Sequence, residues 1–131
     1  MGCNLVYPDM TNRANPETDR VFSIIDAKDT HSFIDLLAED ARLFFGNAAP
    51  MVGRSGITTG VEEFYATIAG LSHQVVDTWT DGAHTFVHAD VTYRRLDGNQ
   101  VTVPSATIYH TNDAGKIDSY RIFNDMSPVY E

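Results

Sequence analysis

The stretch HTFVHADVTYRR, residues 84–95, alternates two kinds of side chain with a period of two. His88, Asp90, Thr92 and Arg94 fall on one parity, and Val87, Ala89, Val91 and Tyr93 on the other. An extended strand puts alternate residues on a common face, so this stretch reads as a strand with one polar and one apolar side. The polar side is either solvated, as on a half-covered antiparallel sheet, or the lining of a pocket.

Working outward, HQVVDTWT (73–80), QVTVPSATIYH (100–110) and KIDSYRIFNDM (116–126) read as strands too. Asp81-Gly82, Asp97-Gly98 and Asn112-Asp113-Ala114-Gly115 separate them and supply turn chemistry, so the second half of the chain predicts a meander of hairpins. Before Ser72 the pattern is helical. Asn15 followed by Pro16 is an N-cap with proline at the first helical position, and Glu17 and Asp19 suit the positive helix end. That helix runs to about Lys28 and buries Val21, Ile24 and Ile25. Asp29-Thr30 opens a second helix through Phe33, Leu36 and Leu37. ARLFF (41–45) is a short strand, GNAAPMVGRSG (46–56) a loop, and Thr59-Gly60-Val61-Glu62 a capping box opening a third helix. The expectation is an α+β fold, three N-terminal helices packed on a curved, mainly antiparallel sheet. Residues 15–131 are expected to form one domain, preceded by an expected mobile tail, 1–14.

Charge and composition narrow the function classes. The chain has 131 residues, a net charge of −9 and a single cysteine, Cys3. No basic cluster exceeds Arg94-Arg95, which argues against nucleic acid and acidic membrane surfaces as partners. No apolar run approaches the ~20 residues of a membrane span, and the N-terminus lacks a basic start with an apolar stretch. A lone cysteine suits a reducing compartment, and the expected location is the cytoplasm. No metal-ligand set, phosphate loop or nucleotide fingerprint is present, so no metal or cofactor is expected.

Turn lengths say which residues are neighbours. Treating Asp97-Gly98 as a two-residue turn sets Asp90 opposite Ser105 and His88 opposite Thr107. Treating Ala114-Gly115 likewise sets Thr107 opposite Ile122, Ser105 opposite Asn124 and Tyr109 opposite Tyr120. One face then collects His88, Asp90, Thr92, Ser105, Thr107, Tyr109, Tyr120 and Asn124, and the rule applied across Asp81-Gly82 adds His73, Val75, Asp77 and Trp79. An odd change in loop length would flip a strand's contribution. The face lacks the Lys and Glu of a wet surface, which favours a small-molecule pocket. His110 and Asp125 have the opposite parity.

Three landmarks, IIDAKDTHSFIDLLAEDARLFF, GRSGITTGVEEFY and AGKIDSYRIFND, in that order, resemble the nuclear transport factor 2-like superfamily, in its SnoaL-like, scytalone dehydratase-like and ketosteroid isomerase-like branches. The resemblance implies a cone-shaped α+β barrel whose enclosed sheet face is catalytic. Not every chemistry of that superfamily carries over. The isomerases have an aspartate base where Phe45 stands, a tyrosine at Val21 and a protonated aspartate at Thr107, so their mechanism is excluded. Limonene epoxide hydrolase aligns Arg-x-Asp with His88-Ala89-Asp90 but needs a second aspartate at Ile122, as do the polyketide cyclases. The dehydratase branch carries Tyr-Asp-x-Lys-Asp on its first helix, similar to Ile25-Asp26-Ala27-Lys28-Asp29, with a strand histidine matched to His88 and a late asparagine to Asn124. It departs at Ile25, Phe45 and Thr107, where that branch has two tyrosines and a second histidine.

The resulting expectation is a cofactor-independent acid/base enzyme. It acts on a small, mostly apolar hydroxy- or carbonyl compound as a dehydratase, isomerase or cyclase. His88 is the expected base, Asp90 its orienting group and Asp26 the acid. Tyr109, Asn124, Tyr120, Thr107, Ser105, Phe45, Trp79 and Tyr65 are expected to contact the substrate. A homodimer through the outer sheet face is expected as well. The alternatives are an epoxide hydrolase with an Asp90-activated water, and a non-catalytic ligand-binding or dimerisation module.

Overall fold

The computed structural model describes residues 15–131; the expected tail and Cys3 lie outside them. Two helices, α1 (Pro16–Asp26) and α2 (Thr30–Asp35), precede strands β1 (Leu37–Phe45) and β2 (Met51–Val52). Helix α3 (Gly53–Tyr65) is followed by β3 (Gly70–Asp81), β4 (His84–Arg94), β5 (Gln100–Thr111) and β6 (Ile117–Asn124), and the short α4 (Ser127–Tyr130) ends the chain. The strands form one six-stranded sheet in the order β2-β1-β6-β5-β4-β3, with every neighbouring pair antiparallel except β1 and β6. No helix among the described residues is long and apolar enough to cross a membrane.

Local chemistry explains the helix ends. Asn15 Oδ1 accepts from the backbone N–H groups of Glu17 and Thr18, and Asp29 Oδ1 from that of Ser32, so two donors that a helix start leaves free are satisfied at α1 and one at α2. Helix α1 stops where Lys28 adopts a left-handed backbone, φ 55°. Its ammonium group then donates to the carbonyls of Tyr65 (3.0 Å) and Ile68 (2.8 Å), at the negative end of α3. Lys28→Met keeps the turn but removes both bonds. It is expected to cost about 2 kcal/mol, read as a lower urea midpoint with an unchanged slope.

Helix α3 begins six residues before the expected capping box. Residues 59–62 lie inside it, and the expected loop contains β2 and the first turn of α3. Gly60, inside the helix, serves a close approach: a Cβ there would overlap the side chain of Met51 on β2. Strand β1 is also longer than expected, starting at Leu37, which had been assigned to the second helix.

Helices α1–α3 pack on the concave face of the sheet. The main core joins Val21, Phe22, Phe33, Leu37, Leu43, Ile57 and Val61 to the sheet residues Val87, Ala89, Tyr109 and Tyr120. A second cluster, Ile68, Val91, Tyr93, Val103 and Val129, seats α4. Burial on β4 alternates, with Thr85, Val87, Ala89, Val91 and Tyr93 buried and Phe86, His88, Asp90 and Thr92 half-buried. The apolar parity therefore faces the helices. The line from His88 to Arg94 faces outward, on the convex side, and this corrects the expected face.

The β4–β5 turn is the cause. Arg94 pairs with Gln100, Arg95 N–H donates to the Asn99 carbonyl, and Gly98 N–H donates to the Arg95 carbonyl. The loop thus holds three residues, Leu96, Asp97 and Gly98, with Gly98 at φ 91° in the left-handed position. One residue more than a two-residue turn exchanges the faces. Ala89, not Asp90, lies opposite Ser105, and Val87, not His88, lies opposite Thr107. Across β5 and β6 the expected pairs Thr107–Ile122, Ser105–Asn124 and Tyr109–Tyr120 all occur.

Candidate functional site

A bulge at Val76 splits β3. His73 pairs with Val91 and Val75 with Ala89 on the concave side, whereas Asp77 pairs with His88 and Trp79 with Phe86 on the convex side. His73 is thereby brought under α1, where Asp26 ends the helix. Asp26 Oδ1 lies 2.6 Å from His73 Nδ1, and Asp26 Oδ2 accepts from the His73 backbone N–H at 2.9 Å. One carboxylate holds both the ring and the backbone of the same residue. The Phe22 ring stacks on the imidazole, with centroids 4.3 Å apart and planes 7° from parallel. The two side chains keep 10% and 25% of their accessible surface, His73 the less exposed. Because a carboxylate only accepts, the Nδ1 that faces Asp26 is the donor of this bond.

His73 lines a cavity of about 40 Å³ together with Ile25, Phe45, Phe64, Leu71, Tyr93, Ser105, Thr107, Tyr120 and Ile122. A second void of about 50 Å³ shares Ile25, Phe45, Phe64, Tyr120 and Ile122 with it and adds Phe33, Leu43, Met51, Val61 and Tyr65. Phe45, Met51 and Phe64 separate these voids from an open hollow of about 520 Å³ at the wide end of the cone, walled by Asn124, Met126 and Tyr130. The interior is apolar and aromatic. Its polar groups converge on one patch formed by His73, Ser105, Thr107 and Tyr93, and no carboxylate lines either inner void.

Several expected site residues gather here. Ser105, Thr107, Tyr120 and Phe45 line the inner cavity, Tyr65 the adjoining void and Asn124 the outer hollow, while Asp26 stands behind His73. Tyr109 belongs to the core: it is fully buried, stacks on Tyr120, and its hydroxyl donates to Glu17 Oε1 at 3.0 Å and lies 3.2 Å from Thr18 Oγ1. His88, Asp90 and Trp79 lie on the opposite side of the sheet and line neither inner void. Two residues of the site have no expected role: His73, which turn parity adds to the polar face without a catalytic part, and Tyr93, expected on the apolar side. The apolar alternation of Val87, Ala89, Val91 and Tyr93 was the signal for the buried face.

Burial pushes the phenols of Tyr65 and Tyr93 up to about 12, and drives that of Tyr120 further up. In the unfolded chain these groups ionise near 10. Above that pH the unfolded state loses protons that the folded state keeps, so stability present below pH 10 falls between 10 and 12. The tyrosinate absorbance of these three residues is expected to rise in one step with loss of helix signal, not ahead of it.

The curved sheet, its order and the helices across the concave face make the cone-shaped fold shared with solved ketosteroid isomerase-like and NTF2-like structures. Within it, the family model described as SnoaL-like domain matches residues 18–120, and the chain belongs to that family. No curated protein sequence matches the chain. Solved structures share the fold at low identity. A hypothetical protein with a ketosteroid isomerase-like fold from Catenulispora acidiphila DSM 44928, in complex with trimethylamine, is 20% identical with a TM-score of 0.79, over 88% of this chain and 91% of that one. TerC, co-crystallised with polyporic acid, is 13% identical with a TM-score of 0.75, over 88% and 96%. The epoxide hydrolase/cyclase-like enzyme SalBIII, of pyran ring formation in polyether salinomycin, is 16% identical with a TM-score of 0.73, over 84% and 88%.

Proposed function

We propose that the chain is a cofactor-independent acid/base enzyme acting on a small, mostly apolar carbonyl compound, with His73 as base and Asp26 as the residue that holds it. The observation carrying this reading is the Asp26–His73 pair at 2.6 Å, with the imidazole on the wall of an aromatic cavity. A neutral imidazole with its far nitrogen unprotonated suits abstraction of a proton beside a carbonyl. The C–H bond breaks, Nε2 gains the proton, and the electron pair moves into the enolate. Where a hydroxyl stands on the next carbon, the enolate collapses as that C–O bond breaks, and the imidazolium returns its proton to the departing oxygen, releasing water. Where none does, return of the proton to another carbon is isomerisation. Asp26 stabilises the imidazolium between the two steps. The absence of a carboxylate from the inner walls and the outward position of Asp90 favour this over water activation by paired aspartates. The experiment is deuterium uptake at the α-carbon of simple aryl ketones in D₂O, followed by proton NMR. The wild-type protein is expected to accelerate exchange, and equal rates with and without protein would overturn the reading.

The same proposal includes a second copy of the chain on the convex face. Trp79, Phe86 and Ile108 stand in one cross-strand row, and Val76 and Phe123 beside it keep 45% and 50% of their surface exposed. Such a patch on an isolated protein marks a contact surface. Phe123→Glu is expected to shift the mass in light scattering from dimer to monomer; a wild-type monomer would contradict the dimer.

A further inference from the structure

Tyr93 and Asn124 together hold hydrogen-bonding capacity that nothing among the described residues uses. Tyr93 stands on β4, diagonal to His73: Leu71 pairs with Tyr93 and His73 with Val91, on one concave face. Diagonal neighbours across an antiparallel pair lie about 7–8 Å apart, a span that a reacting carbon and a nearby oxygen of one small molecule can bridge. Phe64 packs edge-on against the Tyr93 ring, 6.2 Å between centroids at 88°, and fixes its direction. Asn124, at the end of β6, donates through Nδ2 to the Tyr93 oxygen at 3.4 Å and to Met126 Sδ at 3.4 Å. The phenolic oxygen is therefore an acceptor, and its own proton has no acceptor among the described residues. Asn124 Oδ1 is also buried and makes no hydrogen bond.

Buried polar atoms are nearly always paired, so an idle donor beside an idle acceptor marks the place of a ligand's polar groups. On the basis of the reading given under Proposed function, we infer that Tyr93 donates to the substrate's carbonyl oxygen while Asn124 Oδ1 accepts from a hydroxyl on the same molecule, which makes the substrate a neutral hydroxyketone with an apolar body. Donation by Asn124 Nδ2 to the phenol oxygen strengthens the Tyr93 O–H as a donor, and burial keeps the phenol protonated at neutral pH. Tyr93 would thus stabilise the enolate oxygen as His73 takes the proton. The side chains walling the cavity carry no cation to receive an acid group, which agrees with a neutral ligand.

The test uses three probes with one phenyl body, measured by titration calorimetry: 2-hydroxy-1-phenylpropan-1-one, whose hydroxyl is not placed for elimination, propiophenone, which lacks the hydroxyl, and 1-phenylpropane, which lacks both oxygens. The wild type is expected to bind the hydroxyketone at least tenfold tighter than propiophenone, and propiophenone tighter than the hydrocarbon. Tyr93→Phe should weaken both ketones about tenfold and leave the hydrocarbon unchanged; Asn124→Leu should erase the preference for the hydroxyl. Loss of helix signal or of hydrocarbon binding would show a misfolded variant, in which case Tyr93→Trp and Asn124→Asp take their place. Equal binding of all three probes by the wild type, or preferences that survive both substitutions, would overturn the assignment. Because the readout is binding, His73→Gln should retain these preferences while losing deuterium exchange, which separates failure of this assignment from failure of the base.

Discussion

Replacing His73 with glutamine is expected to lower the rate of α-carbon deuterium exchange by about 10²–10⁴-fold, the usual contribution of a positioned general base. Glutamine keeps a hydrogen-bond donor for Asp26 but offers no basic nitrogen, so the local structure survives while the chemistry does not. Asp26→Asn should fall within the same range, because an amide can face Nδ1 with either a donor or an acceptor and the ring loses its fixed tautomer. His88→Gln is the control. It lies on the convex side, opposite Asp77 and Ala106, and should leave exchange unchanged. A drop at His88 equal to that at His73 would contradict the placement of the site on the concave face.

Phe64→Ala carries the largest expected effect on stability. Its ring touches Phe45, Tyr65 and Tyr93 and walls both inner voids and the outer hollow. Truncation should cost about 3 kcal/mol, at the low end for Phe→Ala because the ring is only half-buried. It should also merge the three spaces into one, since the Phe64 ring lines all of them. The variant is therefore expected to unfold at lower urea yet bind an apolar fluorescent dye more tightly than the wild type. A loss under 1 kcal/mol together with unchanged dye binding would mean that Phe64 does not divide the interior.

The sequence made the class of fold readable because periodicity and turn residues are local. The expected pairs of β5 with β6 occur because two departures cancel: Asn112 pairs with Lys116 around a three-residue loop, one residue more than the expected turn, and a bulge at Asp118 takes that residue back, so Ser105, Thr107, Tyr120 and Asn124 share the concave face. No bulge compensates the loop at Asp97-Gly98, so β4 keeps the shifted register. That dipeptide suits a two-residue turn and also the end of a three-residue loop, and the difference of one residue carries every β4 side chain to the other face. The bulge at Val76 leaves no signal either, as Val75 and Val76 are identical residues and only the packing decides which one stays in the ladder. Asp26 was legible on the first helix through the stretch from Ile25 to Asp29. Its partner was not, because His73 lies 47 residues away and its side of the sheet depends on both the turn and the bulge. The ordinary expectation for β4, apolar side in and polar side out, describes its burial without any further assumption.

The proposed chemistry needs one state of one imidazole, bonded to Asp26 at Nδ1 and unprotonated at Nε2. Long-range ¹⁵N–¹H correlation NMR on the ¹⁵N-labelled protein at neutral pH reads that state directly. The expected spectrum of His73 shows a protonated Nδ1, its proton shifted downfield by the Asp26 bond, and a pyridine-like Nε2. A protonated Nε2 with a bare Nδ1, or a spectrum unchanged by Asp26→Asn, would contradict it.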